Sequence, residues 1–151
     1  MRTGRMKRGF TLIELMLVTV VLVVLLAVGL PGFSSIIRAQ RIKSTSFDLY
    51  SALVLARSEA ITRNTTVTIA PAGGSWGNGW TVTESGGTVL RQDEGVPNIA
   101  ISGPDSVVYR GSGRLDGAVF PQFELSAAET SQTRCIRIDL SGRPYTKAEP
   151  C

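Results

Sequence analysis

A long apolar stretch near the start of the chain constrains the fold more than any other feature. No residue from Leu15 to Ile37 carries a formal charge. As a helix, the 21 residues from Phe10 to Leu30 would span about 30 Å, the thickness of the hydrocarbon layer of a membrane. One carboxylate, Glu14, lies inside the start of this predicted span, where an ionised acid costs roughly 2.5 to 3.5 kcal/mol. We therefore expect Glu14 to have a partner or a specific role.

The formal charge is concentrated before the apolar stretch. Four cations precede Gly9, and they predict that this leader stays cytoplasmic while the C-terminal part crosses the membrane. The 16 basic residues of the chain less these four leave 12, against 12 acidic residues. The net charge of +4 therefore belongs to the leader, and composition gives no reason to expect a polyanionic partner.

The periodicity of the apolar residues changes from helical to strand-like near residue 64. Pro31-Gly32 is expected to break or bend the first helix. Four apolar residues then recur at helical spacing and predict an amphipathic continuation over 31–64, namely Leu49, Leu53, Ala56 and Ala60. Beyond Asn64, alternation and glycine-rich turns predict a β-rich head over 65–151. The predicted strands lie within 65–70, 81–83, 88–91, 99–102, 107–109, 119–125 and 134–140, in an order that the sequence leaves open.

The segment MKRGFTLIELMLVTVVLVVLLAVGLP resembles the N-terminus of a type IV pilin-like precursor. It has a basic leader, a Gly9/Phe10 junction, an acid five residues beyond that junction, and Pro31 within a long apolar helix. A secretory signal instead has its small-residue cleavage site after the apolar region. The resemblance implies that a prepilin peptidase removes residues 1–9 and that the new amine of Phe10 is methylated. Residues 10–30 would then serve as the transmembrane and assembly helix, with Glu14 and Pro31 as assembly residues.

Short motifs in the head are similar to those of H-type pseudopilins and FimU/FimT-type minor pilins. They are Ala56-Arg57-Ser58-Glu59-Ala60 before Arg63-Asn64, the turn with Trp76 and Gly79-Trp80, and the turn Ser141-Gly142-Arg143. The resemblance implies an α+β fold in which a long bent N-terminal helix packs on a C-terminal antiparallel β head. It also implies an assembly subunit rather than an enzyme. We expect both tryptophans to lie in the core rather than at an interface.

Glu14 is the residue for which the resemblance has the clearest chemical meaning. Cleavage before Phe10 would create an ammonium group, and in a staggered fibre the Glu14 carboxylate of one chain could meet the amine of the next. Such pairing would offset the burial of both charges. In the alternative interpretation, Glu14 reaches the headgroup layer by extending its side chain.

Two cysteines, Cys135 and Cys151, suit a head that is exported to an oxidising compartment. We predict an intramolecular disulfide that ties residue 151 to a strand. Two free thiols or an intermolecular bridge remain as alternatives.

The sequence argues against catalysis. The chain has no histidine, so Ser/His/Asp and Cys/His nucleophile systems and the commonest metal ligand are absent. Gly111-Ser112-Gly113 lacks the Gly-Lys-Ser/Thr that would follow in a phosphate loop. We predict no catalytic residue, no metal site and no cofactor.

The resemblance favours a structural minor pilin in the tip or initiation complex of a type IV pilus. The expected partners are the prepilin peptidase and other major and minor pilins or pseudopilins. The chain would cross the inner membrane once, with a periplasmic head, before it enters a pilus. A type II secretion pseudopilus, which would keep it in the periplasm, is the first alternative. The second is a DNA-binding subunit for uptake that uses four cations near the tail, Arg134, Arg137, Arg143 and Lys147.

Overall fold

One long helix is followed by a series of short strands. The computed structural model describes residues 10–117, 120–128 and 130–151, without the side chains of residues 28–33. Helix α1 spans Leu12–Arg63. The strands are β1 Val67–Pro71, β2 Gly79–Glu84, β3 Val89–Glu94, β4 Ala100–Ser102, β5 Val107–Tyr109, β6 Gln122–Ser126, β7 Arg134–Ile138 and β8 Pro144–Lys147, with 3₁₀ turns at Ala72–Gly74 and Trp76–Asn78.

The chain divides into two units, one up to Ile36 and one over Ile37–Cys151, which we call the head unit. Helix α1 runs through the dipeptide Pro31-Gly32, so the helix is not broken there. A proline removes only one donor from the hydrogen-bond ladder, and a long helix can continue past it. A bend at this position stays a prediction, whereas the predicted helix end near Arg63-Asn64 agrees with the end of α1.

The strands form two four-stranded antiparallel sheets. Sheet 1 has the order β3-β2-β1-β5, and sheet 2 has the order β4-β6-β7-β8. The predicted hairpin at Gly86-Gly87 joins β2 to β3, where the Gly87 φ of 85° suits a residue without a side chain. Strand β8 was not predicted, because it begins at a proline and its other three residues are exposed, which leaves no apolar alternation to detect.

The second half of α1 provides one wall of the core. Ile42, Leu49 and Leu53 are fully buried, each contributing about 1.5 to 3 kcal/mol by burial. Small residues on the same face permit close approach of the strands, and they are Ala52, Ala56 and Ala60. Both sheets supply the rest of this core, chiefly Val67, Ile69, Val82, Phe123, Leu125, Ile136 and Ile138. The predicted arrangement of a helix packed on an antiparallel β head is confirmed.

Both tryptophans lie in this core, as predicted, with exposed fractions of 3% for Trp76 and 2% for Trp80. The ring of Trp76 meets that of Phe123 edge to face at 4.8 Å. Its indole Nε1 donates to the carbonyl of Pro104 at 2.7 Å, so its polar group is satisfied.

Candidate assembly site

The start of α1 has a local hydrogen bond that fixes where the helix begins. Phe10 and Thr11 precede the helix. The backbone N–H of Glu14 donates to the Thr11 hydroxyl at 3.3 Å, so Thr11 caps the first turn. Thr11-Leu12-Ile13-Glu14 has the Thr-x-x-Glu spacing of a capping box, a signal that we did not draw from the sequence. Glu14 also lies in the first turn, where the helix dipole favours a negative charge.

The first part of α1 leaves its apolar side chains uncovered. Every residue from Phe10 to Ala27 is exposed, and most of them are large aliphatic residues. An apolar surface this continuous is a binding surface for lipid or for another protein. Among the residues that the structure describes, no helix is long and apolar enough to cross a membrane.

The residues predicted for cleavage and assembly are described only in part. Gly9 lies outside the described residues, and the side chain of Pro31 is not described. Phe10 is 81% exposed and Glu14 is also exposed, so neither is used for packing within the first unit. Cleavage before Phe10, its methylation and the pairing of Glu14 stay predictions.

The outer side of α1 in the head unit has a second apolar feature. Phe47, Val54 and Ile61 recur every seven residues, close to two helical turns, and are 68%, 41% and 49% exposed. At 3.6 residues per turn, these three residues lie on average about a third of a turn away from the buried Leu49 and Leu53. We call these three exposed residues the outer ridge.

The predicted disulfide is present between Cys135 and Cys151, and it fastens residue 151 to β7. Two polar contacts support the same attachment. The Cys151 backbone N–H donates to Glu124 Oε2 at 3.1 Å, and Arg137 Nη2 donates to the Cys151 carbonyl. The end of the described chain is therefore held on sheet 2 by one covalent bond and two hydrogen bonds.

The four cations proposed for DNA do not share one face. Arg134 and Arg137 are three residues apart on β7, and an odd separation along a strand places side chains on opposite sides. Arg134 lines a groove beside α1, whereas Arg137 bonds to Cys151. Lys147 Nζ lies 3.2 Å from Glu149 Oε1, and Arg143 Nε lies 3.7 Å from Asp139 Oδ2. This alternation and these carboxylates give no support to a shared basic face, and DNA binding by the four cations stays a prediction.

A joint between α1 and two loops explains two glycine motifs of the head, those at Gly113 and Gly142. Arg57 Nε donates to the Gly113 carbonyl at 3.0 Å, and Arg57 Nη2 donates to the Ser141 carbonyl at 3.0 Å. Gly142 has a φ of 81°, and a Cβ at that position would lie 2.2 Å from the Gly113 oxygen. The loops around Gly113 and Gly142 therefore meet backbone to backbone under the Arg57 side chain.

Asp139 shapes the second of these loops. Its Oδ1 accepts from the Ser141 hydroxyl at 2.6 Å, the Ser141 N–H at 2.9 Å and the Arg143 N–H at 3.0 Å. The Ser141 hydroxyl, followed by the Arg143 N–H, lowers the pKa of this carboxyl below its usual value. The Ser141-Gly142-Arg143 motif is thus a carboxylate-organised turn.

The described residues contain no cluster of three or more His, Cys, Asp or Glu side chains that could hold a metal ion.

Two family models match successive parts of the chain. Residues 4–30 match the prokaryotic N-terminal methylation motif. Residues 47–142, more than half of the chain, match the family described as Type II transport protein GspH. The chain belongs to the GspH family.

Solved structures support the fold of this GspH-family chain. Two crystal structures of the type IV minor pilin FimU from Pseudomonas aeruginosa strain PAO1 match it, in space groups P65 and P21. The first has 22% identity and a TM-score of 0.61 and covers 70% of this chain and 91% of FimU. The second has 21% identity and a TM-score of 0.62, and it covers 74% of this chain and 90% of FimU. No curated protein matches the chain.

The resemblance to the pilin-like family that the sequence indicated is thereby confirmed for both halves of the GspH-family chain. Such proteins are structural subunits, of the minor pilin or pseudopilin type. The N-terminal methylation motif contains the Gly9/Phe10 junction and Glu14. The GspH match contains the outer ridge and the Arg57 joint.

Proposed function

We propose that the chain is a minor pilin of a type IV pilus, located in the tip or initiation complex. One observation carries this proposal: a single chain joins an N-terminal methylation motif and an uncovered apolar helix to a separately packed head. The apolar helix needs lipid before assembly and other subunits afterwards. The head remains free to contact other minor subunits.

In the proposed mechanism, the prepilin peptidase cuts between Gly9 and Phe10 at the cytoplasmic face of the inner membrane. The same enzyme methylates the amine of Phe10, which keeps its positive charge. During assembly the Glu14 carboxylate pairs with the terminal amine of an adjacent subunit and sets the docking register. Pairing offsets the desolvation of both charges within an apolar surrounding.

The capping hydrogen bond at Thr11 sharpens the test of this pairing. Replacing Glu14 with Ala removes the charge together with the Thr-x-x-Glu spacing, whereas Gln retains a capping-box side chain without the charge. We expect both Glu14→Ala and Glu14→Gln to be cleaved normally and to be absent from sheared fibres. Immunoblots of membranes and fibres measure the two steps. Normal incorporation of Glu14→Gln would contradict the pairing mechanism.

A position in a type II secretion pseudopilus is the second candidate, and the description of the matched family favours it. The disulfide between Cys135 and Cys151 favours the pilus, since such a C-terminal clasp is common among pilins. Deletion of the gene distinguishes a role in the pilus from a role in the pseudopilus. Loss of twitching with secretion preserved supports the pilus, and loss of secretion with twitching preserved supports the pseudopilus.

A further inference from the structure

A groove of about 490 Å³ opens in the head unit between the second half of α1 and the β7–β8 edge of sheet 2. Its walls include Lys43, Phe47 and Tyr50 from the helix, with Arg134 from β7 and Thr146 from β8. Arg134 was considered above for DNA binding and Phe47 as part of the outer ridge, but no function was given to the groove itself. Its volume is within the range of sites that bind small molecules or short peptide segments.

The charge of the groove is positive and uncompensated. Lys43 and Arg134 form no ion pair with any described residue, and no Asp or Glu lines the groove. Other arginines of the head differ, since Arg63 and Arg91 contact carboxylates at 2.6 Å and 2.7 Å. Two unneutralised cations beside low-dielectric walls attract an anion.

A serine hydroxyl is a further polar group of the groove. Ser46 is 3% exposed and is one of the residues that line the groove. A serine hydroxyl can donate a hydrogen bond to an acceptor that enters the groove.

The adjacent edge strand indicates the form of the ligand. Strand β8 is the last strand of sheet 2, and its residues Tyr145, Thr146 and Lys147 are exposed. An edge strand can pair with an extended peptide through its backbone. Phe47, 68% exposed beside this edge, offers an apolar contact to a side chain of such a peptide.

We propose that this groove binds an acidic, extended segment of a neighbouring subunit. A glutamate or aspartate of the segment bonds to Arg134, Lys43 and Ser46, while its backbone pairs with β8. A peptide is favoured over DNA because the groove presents only two cations, and Arg137 lies on the opposite face of β7. Only the identity of the partner, another subunit of the fibre, rests on the proposed function.

Fluorescence anisotropy with the full chain in detergent tests the groove without any fibre. The probe is a fluorescein-labelled peptide of alternating glutamate and valine, about eight residues long so that it spans an edge strand. A peptide of alternating glutamine and valine is its uncharged counterpart. We expect the glutamine peptide to bind roughly tenfold more weakly, because a charge-assisted hydrogen bond is lost.

Variants of the protein locate the binding. We expect Arg134→Gln and Lys43→Gln each to weaken binding of the acidic peptide roughly tenfold, and Ser46→Ala to weaken it by less. Arg114→Gln, an exposed cation away from the groove, is the matched control and leaves binding unchanged. Lys43 is exposed, so its variant tests the groove even if Arg134→Gln unfolds the head.

Three results would overturn the proposal: equal affinity for the two peptides, equal affinity of the groove variants and the wild type, or tighter binding of a DNA duplex through Lys43 and Arg134. Fibre incorporation is measured separately. If the wild type binds the acidic peptide but never enters a fibre, the proposed function is wrong, whereas the proposed binding of an acidic peptide in the groove is supported.

Discussion

Arg57 extends from α1 to the carbonyls of Gly113 and Ser141, each at 3.0 Å. Replacing it with Ala leaves two carbonyls without their charged donor. We expect Arg57→Ala to lower the free energy of unfolding of the head unit by about 1.5 to 3 kcal/mol, toward the lower end because the side chain is partly exposed. Urea unfolding followed by circular dichroism measures this loss. Arg114→Ala, an exposed control, should change stability by less than about 0.5 kcal/mol.

Asp139 should make the head unit less stable in acid. Its pKa is lowered in the folded state by the Ser141 hydroxyl and the Arg143 N–H. A carboxyl with a depressed folded pKa adds stability above its unfolded pKa of about 3.9, and this stability is lost as the pH falls through the folded pKa. We expect Asp139→Asn to be less stable than the wild type at pH near 7 and to show a weaker loss of stability below about pH 4. Unfolding midpoints across this range measure the effect, and parallel profiles for the two proteins would contradict it.

At the residue scale, the sequence indicates candidate site residues where their motif is local, and the roles of these residues stay predictions. Glu14 and the Gly9/Phe10 junction lie within one short segment, so their spacing could be read directly. The Arg57 joint could not be predicted, because it brings together residues separated by 56 and 84 positions. The groove could not be predicted either, because Lys43 and Arg134, which both line it, are far apart in the sequence.

The loops between elements depend on glycine at positions of close approach. Gly142 combines a φ of 81° with a virtual Cβ 2.2 Å from the Gly113 oxygen, whereas Gly86 has no atom within 4 Å of its virtual Cβ. We expect Gly142→Ala to destabilise the head unit by more than about 1 kcal/mol, because it combines backbone strain with a steric clash. Gly86→Ala should leave stability unchanged or slightly raised. Thermal unfolding compares the Gly142→Ala and Gly86→Ala variants. Equal melting temperatures would contradict this prediction, because the backbone around Gly142 would then accommodate the added methyl group.

The disulfide joins β7 to the end of the described chain across 16 residues. We expect its reduction to cost about 3 kcal/mol of stability, since the open loop gains entropy in the unfolded chain. Unfolding with and without reductant measures this difference. The Cys135→Ser/Cys151→Ser double variant should not respond to reductant. Two alkylatable thiols in the non-reduced protein would contradict the bond.

At the scale of elements, strands with alternating apolar residues were predictable, and strand β5 has the predicted limits. Strand β8 was missed because its exposed residues follow no pattern. The orders β3-β2-β1-β5 and β4-β6-β7-β8 could not be derived, because strand neighbours are chosen by contacts between distant segments that periodicity does not encode.

For the whole molecule, the two units should behave differently in water. Residues 37–151 contain a core drawn from α1 and both sheets, whereas the apolar residues 10–27 are uncovered. We expect a fragment of residues 37–151 to be monomeric without detergent and the full chain to associate. Sedimentation velocity measures both. Aggregation of the fragment at the same concentration would show that the outer ridge, rather than the first part of α1, drives association.

The fold class was predictable from the sequence because one change of periodicity, near residue 64, separates helix from strands. The cap at Thr11 has a consequence for the proposed processing at the same, N-terminal end of the helix. Since α1 begins at Leu12, Phe10 and Thr11 are already non-helical. A peptidase that requires extended backbone on the carboxyl side of the scissile bond can engage these two residues without first unwinding a turn.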